Sequence, residues 1–359
     1  MVAATNGKTY VSKQSFGTMP DGRTIELYTL KSSCLEIQIM TYGAAIISLR
    51  APDRAGNSDD VVLGFPDLPG YAASHSSNAP AYFGSTIGRY GNRIAHAKFA
   101  LDGKQFTLSK NNGENSLHGG PGGFHNVVFE AEPARNGVAF RYLSKDGEEG
   151  YPGNLSFEVR YELCGSDLKI HYRATTDKPT VLNPTNHSFF NLAGAGSGTI
   201  LSHHLKLFAS HFTPVDPALI PTGEIRTVTG TPLDFGNWTA IGERIHLDDE
   251  QLRRGNGYDH NFVLDDASEN LKQAAALHDP AGGRVMEVWT TEPAIQFYSG
   301  NFLDGTAKGK NAVLYARHAG LCLEAQHFPD SPNHPNFPST SLRPGQTFQS
   351  TTIYRFSTR

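Results

Sequence analysis

The stretch FEVRYELCGSDLKIHY, residues 157–172, alternates apolar and polar side chains on either side of a Gly165-Ser166-Asp167 turn. On an extended chain Phe157, Val159, Tyr161 and Leu163 share one face, and Glu158, Arg160 and Glu162 the other. A strand has a side-chain period of two, so this reads as a half-buried strand, with Leu168-Lys169-Ile170-His171-Tyr172 as its hairpin partner. One apolar and one polar face mark an antiparallel sheet covered on a single side. The same alternation recurs in Leu35-Glu36-Ile37-Gln38-Ile39 and in Leu321 to Gln326. With 37 glycines and 21 prolines spread along 359 residues, turn formers suffice for many short strands. Ser268 to Leu277 and Asp248 to Arg254 are expected as short helices. No sustained 3.6-residue period follows the strands, which argues against doubly wound and barrel α/β folds. The expected fold is all-β: one large antiparallel β-sandwich with a few short helices, a single domain over residues 1–359. Length alone would point to about two domains.

Composition excludes several classes of function. A formal net charge of -4 gives no footprint for nucleic acid or an anionic membrane. No apolar run is long enough to cross a bilayer, and MVAATNGKTYVSKQSFG at the start has no apolar core of a signal peptide. A cytoplasmic protein is expected. Cys34, Cys164 and Cys322 lie far apart without a CxxC pair, so reduced thiols packed as small hydrophobes are expected rather than a disulfide framework or zinc site. Gly194 to Gly198 is glycine-rich but precedes no amphipathic helix, and reads as a turn; Gly305 to Lys310 lacks the spacing of a phosphate loop. No metal and no cofactor is expected.

Six polar clusters remain. GRYGNRI (88–94) sets Arg93 beside turn-forming Gly91 and Asn92; a planar guanidinium suits vicinal hydroxyls, though an isolated arginine there also reads as a surface residue. NSLHGG (115–120) places His118 before two glycines that let backbone approach a ligand and leave the imidazole uncovered. TNHSFFNLAG (185–194) puts His187 between Asn186 and Asn191, which can bond local backbone or brace the ring. By itself it reads more readily as a satisfied core histidine. NGYDHNF (256–262) offers Asp259, a carboxylate able to accept two hydroxyls. EPAIQFYSGNF (292–302) carries Gln296 in a strand-like run. In Leu321 to Gln326, alternation puts Cys322, Glu324 and Gln326 on one face and Leu321, Leu323 and Ala325 on the other. If that polar face is buried rather than exposed, desolvation raises the Glu324 pKa and makes it a usable base near neutrality. One arginine, two histidines, two carboxylates and amides, with aromatics nearby in sequence, suit a small polyhydroxylated ligand.

These clusters, in this order, resemble the galactose mutarotases, or aldose 1-epimerases. The resemblance extends to DGEEGYPG (146–153), LIPTGEI (219–225), QFYSGNFLDG (296–305), LEAQHFPDSPNHPNFP (323–338) and LRPG (342–345), and so covers nearly the whole chain. It implies a β-supersandwich, a sugar substrate such as galactose or glucose, a monomer or homodimer, and no cofactor. It implies Glu324 as general base and His187 as general acid, with His118 donating near the anomeric centre. Arg93, Asp259 and Gln296, and less clearly Asn92, would contact sugar hydroxyls. Phe189 stands where many members have Tyr, and Val127-Val128-Phe129 lacks a Trp frequent after GGxxGF; both bear on sugar preference. Two other readings remain at this stage: a non-catalytic carbohydrate-binding sandwich, and a glycosidase using Asp259 and Glu324 as paired carboxylates.

Overall fold

The computed structural model describes residues 9–77 and 79–359. The first eight residues, part of the stretch that lacks an apolar leader, lie outside the described residues. The opening hairpin is formed as the alternation implies. Strands Leu155–Cys164 and Asp167–Thr176 pair from Leu155 opposite Thr176 to Cys164 opposite Asp167, closed by Gly165-Ser166. Gly165 has φ 61, the left-handed conformation that tight hairpin turns need at this position. Phe157, Val159, Tyr161, Leu163, Leu168, Ile170 and Tyr172 are all buried.

This hairpin sits within a nine-stranded sheet. Glu130–Ala134 and Gly137–Ser144 flank it on one side; Phe348–Thr358, Arg284–Thr290, Lys272–His278, His204–Leu207 and Thr239–Ala240 follow on the other. The first five strands, from Tyr10–Thr18 to Ser58–Asp60, form a second sheet in sequence order. A third runs Arg226–Thr227, His211–Thr213, Asp259–Val263, Ala294–Tyr298, Cys322–Gln326. The strand pairings within all three sheets are antiparallel. One continuous core joins them: Leu30 and Ile37 from the second sheet, Val159 and Ile170 from the large one, Phe262, Ile295 and Leu323 from the third.

The third sheet positions the site. Directly opposed residues share a face, and the register pairs Asp259 with Tyr298, Asn261 with Gln296, Gln296 with Glu324 and Tyr298 with Cys322. Phe262, Ile295, Phe297 and Leu323 point into the core; Asp259, Asn261, Gln296, Tyr298, Cys322, Glu324 and Gln326 line the other face. Each buried large apolar side chain contributes about 1.5–3 kcal/mol. That offsets the roughly 1–3 kcal/mol cost of each buried polar group left without a partner on the reverse side.

Helix Glu250–Gly255 forms where Asp248 to Arg254 is expected, with Asp249 accepting from the Gln251 and Leu252 amides and Asn256 ending it in the left-handed region. The expected helix over Ser268 to Leu277 is absent. Lys272–His278 is instead a strand between His204–Leu207 and Arg284–Thr290. Ladder hydrogen bonds on both sides outweigh the modest helix preference of Gln273-Ala274-Ala275-Ala276-Leu277. A helix not foreseen, Leu68–His75, is capped by Asp67 accepting from the Gly70 amide at 2.9 Å; Pro69 and Gly70 in its first turn disguise it. Cys322 is packed away as expected, but Cys34 is exposed. No described helix is long and apolar enough to cross a membrane.

Candidate active site

Two short ladders deliver the histidines to the polar face. Strand Arg93–Ile94 pairs with Ser116–Leu117, Leu117 opposite Arg93, so His118 emerges beside Asn92. Thr185–Asn186 pairs with Thr86–Ile87, and the Thr185 hydroxyl donates to the Ala325 carbonyl at 2.8 Å, fastening the strand before His187 to the strand bearing Glu324. The His187 amide donates to the Ser85 carbonyl at 2.9 Å.

All seven residues singled out from sequence meet here. His187 Nε2 lies 3.6 Å from Glu324 Oε1, and the His118 and His187 rings are 5.0 Å apart, edge to face. Gln296 donates to Asp259 at 2.7 Å. Arg93 donates through Nε to Asn112 at 3.0 Å, and its backbone amide donates to Asn92 Oδ1 at 2.9 Å. Glu324 is 2 % exposed, which excludes the solvated-strand alternative.

Burial drives the two halves of the pair apart. It pushes Glu324 well above the usual carboxylate range, the Asp259 charge adding to this and Arg93 opposing it. It lowers His187 to about 4, its own backbone carbonyl pulling the other way. Both shifts act against the charged forms, favouring a protonated carboxyl beside a neutral imidazole over a carboxylate–imidazolium pair. Asp259 is raised as well, by burial, with Arg93 and Gln296 opposing.

The partners of the two Nδ1 atoms distinguish the histidines. The Asn92 amide donates to His118 Nδ1 at 3.1 Å. A backbone N–H only donates, so Nδ1 is an acceptor and the neutral ring carries its proton on Nε2. Protonating His118 would set two N–H groups against each other; burial and neighbouring His187 also keep its pKa well below the usual range. His118 is thus a fixed donor. His187 Nδ1 instead faces the Cys322 thiol at 3.5 Å. His118, His187 and Glu324 each bring a ligand atom to within 4.8 Å of the others, the spacing of a metal site. His118 Nε2, carrying a proton, has no lone pair for a metal, so the trio does not fit a three-ligand centre.

Some expectations need correction. Asn186 and Asn191 do not brace the His187 ring: Asn186 donates to the Gly84 carbonyl and accepts from Ser188, and Asn191 donates to the Gly198 and Ala319 carbonyls. Phe189 packs beside the His187 ring at 5.2 Å, but Phe190 belongs to the central core against Tyr354. The glycines after His118 approach protein, not ligand. A Cβ on Gly119 would lie 1.9 Å from the Gly88 carbonyl oxygen. The first arginine of GRYGNRI is structural: Arg89, 2 % exposed, donates to the Ser144 hydroxyl and to the carbonyls of Ser144, Lys145, Pro152 and Gly153. It thereby accounts for the DGEEGYPG segment.

Alternation had already set Cys322 and Gln326 on the Glu324 face, without giving them a role. Asn261 and Tyr298 are legible in retrospect, two residues from Asp259 and Gln296 and so on the same face. The Asn261 and Gln326 amides are buried without a protein partner. Tyr82 has no such signal; its ring lies 4.7 Å from His118 and 5.6 Å from His187.

Residues 26–355 match the family model described as aldose 1-epimerase. The chain belongs to the aldose 1-epimerase family. Galactose mutarotase of Bos taurus is 46% identical over 348 residues, 97% of this chain and 98% of that one. Aldose 1-epimerase of Escherichia coli (strain K12) is 39% identical over 342 residues, 94% and 96% of the two chains. Among solved structures of the family, galactose 1-epimerase of Lactobacillus acidophilus NCFM superposes with a TM-score of 0.83 at 27% identity, covering 98% of this chain and 99% of that one. An aldose epimerase homologue from C. elegans gives 0.82 at 32% identity, covering 90% and 96%.

Proposed function

We propose that this aldose 1-epimerase interconverts the α and β anomers of free hexoses, galactose and glucose among them, by acid–base ring opening and reclosure. The observation that carries the reading is the His187–Glu324 pair, 3.6 Å apart in a wall of hydroxyl-binding groups. Glu324 takes the proton of the C1 hydroxyl while His187 protonates the ring oxygen. The C1–O5 bond breaks, leaving the open-chain aldehyde, a protonated Glu324 and a neutral His187. Rotation about C1–C2 presents the other carbonyl face. Glu324 then returns its proton to O1 as O5 closes on C1, and His187 recovers its own.

Burial favours a protonated Glu324 beside a neutral His187, the protonation state that ring opening leaves with the aldehyde. A cyclic sugar must therefore draw that proton across to His187. Hydroxyls donating to the carboxylate, and the Arg93 charge, favour the shift. His118 Nε2–H donates near the anomeric oxygens. Asp259, Gln296, Arg93 and Asn92 hold the remaining hydroxyls. A sandwich that only bound sugar would have no use for a buried acid–base pair. Residues 1–359 act as one catalytic unit, as monomer or homodimer, in the cytoplasm.

Polarimetry of freshly dissolved α-D-glucose and α-D-galactose tests the reading. Added protein should shorten the approach to equilibrium rotation; no acceleration over buffer with any aldose refutes it.

A further inference from the structure

The two imidazoles differ at Nδ1: that of His118 faces a backbone N–H, and that of His187 faces the Cys322 sulfur at 3.5 Å. We propose that Cys322 is a positioning residue for the reaction, its sulfur accepting the His187 Nδ1–H so that Nε2 is left free to give and take the proton. This rests on the acid role given to His187 above.

The geometry supports this in three ways. Cys322 lies on the same strand face as Glu324, two residues away, so one strand carries both the base and the group that orients the acid. The sulfur is the side-chain partner at Nδ1; the ring's other acceptor, its own carbonyl, is shared with the Gly84 amide at 3.0 Å. Burial raises the thiol pKa well above its usual value, the Glu324 and Asp259 charges adding to this, so the partner is a neutral thiol. A neutral sulfur accepts weakly. A carboxylate in its place would hold His187 as a stable imidazolium and blunt it as an acid; an N–H would forbid protonation, as at His118. The thiol orients the ring without fixing its charge. Through the cycle the Nδ1 proton stays where it is. One proton leaves Nε2 for O5 and returns, and none is transferred to or from sulfur.

The titratable and charged groups facing this contact are Glu324, Asp259 and Tyr298 on the third sheet, Tyr354 from the large sheet, His118 and Arg93 from the loop wall, and Tyr82 with His125. None of these is altered by substituting Cys322.

Cys322→Ala and Cys322→Ser, assayed by polarimetry with 15N NMR of the imidazoles, provide the test. With Ala, kcat should fall about tenfold with KM within about twofold, and the acid limb of the kcat profile should move to lower pH, because the imidazolium loses an acceptor. Ser, which can also accept, should restore kcat to within about threefold. The His187 Nδ1 resonance should report a bound proton in the native protein and shift in the Ala variant. A merely structural role lowers stability in both variants and leaves the pH limb and Nδ1 in place. Equal kcat in Ala and native protein, or equal losses in Ala and Ser, overturns the proposal. If the native protein accelerates no mutarotation, the reaction is wrong, and the Nδ1 spectrum alone decides the orienting contact: unchanged by Ala, it refutes that contact too.

Discussion

Replacing Glu324 by Gln should separate activity from stability. The side chains are nearly isosteric, so packing against Gln296 and His187 survives while the exchangeable proton goes. Glu324 Oε2 is buried without a partner, so no hydrogen bond to that oxygen is lost. A general base contributes about 10²–10⁴-fold, and kcat should drop at least a hundredfold. Stability should move the other way. The folded state holds the Glu324 pKa well above 4.5, its ordinary value. A carboxyl raised on folding costs nothing below its unfolded pKa and costs progressively more as pH rises toward its folded value. At pH 7, about 2.5 pH units above 4.5, the cost is at most about 3.4 kcal/mol, taking roughly 1.36 kcal/mol per unit. Glu324→Gln should therefore be more stable than the native protein at pH 7, by up to that amount, and equal to it near pH 4. Urea unfolding at pH 4, 5.5 and 7, with polarimetry at pH 7, measures both. A variant less stable at pH 7, or with a gain independent of pH, refutes the claim that burial holds the proton on Glu324. Near-native kcat refutes its role as base.

Three further outcomes follow from the same geometry. The acid limb of kcat/KM should lie near pH 4, where burial puts His187; a limb centred near 6.5 in a pH series contradicts that lowering. Asp259→Asn should raise KM about tenfold with kcat little changed, since a hydroxyl bound by a charged acceptor is worth roughly 1.4 kcal/mol more than one bound by a neutral one; an unchanged KM removes Asp259 from the sugar contacts. Arg89→Met should cost about 3–5 kcal/mol in urea unfolding, because the Ser144, Lys145, Pro152 and Gly153 carbonyls lose their buried donor; a loss under 1 kcal/mol shows that water replaces it.

The sandwich was legible because its strands are covered on one side and keep a strict period of two, as in Phe157 to Tyr172. The alternation of Leu321 to Gln326 went further and placed Glu324 on a separate face from Leu323. Alternation could not say that this second face is also buried. Loops from distant parts of the chain, bearing His118, His187 and Tyr82, close over it. Lys272–His278 was misread because its alanines favour helix locally, whereas its strand neighbours, Arg284–Thr290 just after it and His204–Leu207 over 60 residues before it, claim it through pairing that local preference does not reveal. GRYGNRI shows the same limit at one residue's scale. Arg89 and Arg93 are alike in sequence, yet one binds backbone carbonyls and the other faces the site.

The site's chemistry depends on dryness more than on the identity of its groups. In water, with ordinary pKa values, the carboxyl would be ionised and the imidazole mostly neutral at pH 7, so the pair would seldom hold the proton that the reaction passes between them. Burial disfavours both charges, raising the carboxyl and lowering the imidazole, so that one proton can be retained between them and serve each in turn. The same burial would neutralise any imidazole in this wall, so it cannot choose between His118 and His187. That choice falls to the Nδ1 partner, an Asn92 amide that bars a second proton from one ring and a Cys322 sulfur that admits it to the other. Moving either partner should exchange or abolish the acid without altering the fold, which makes second contacts of the ring, rather than its sequence motif, the determinant of its role.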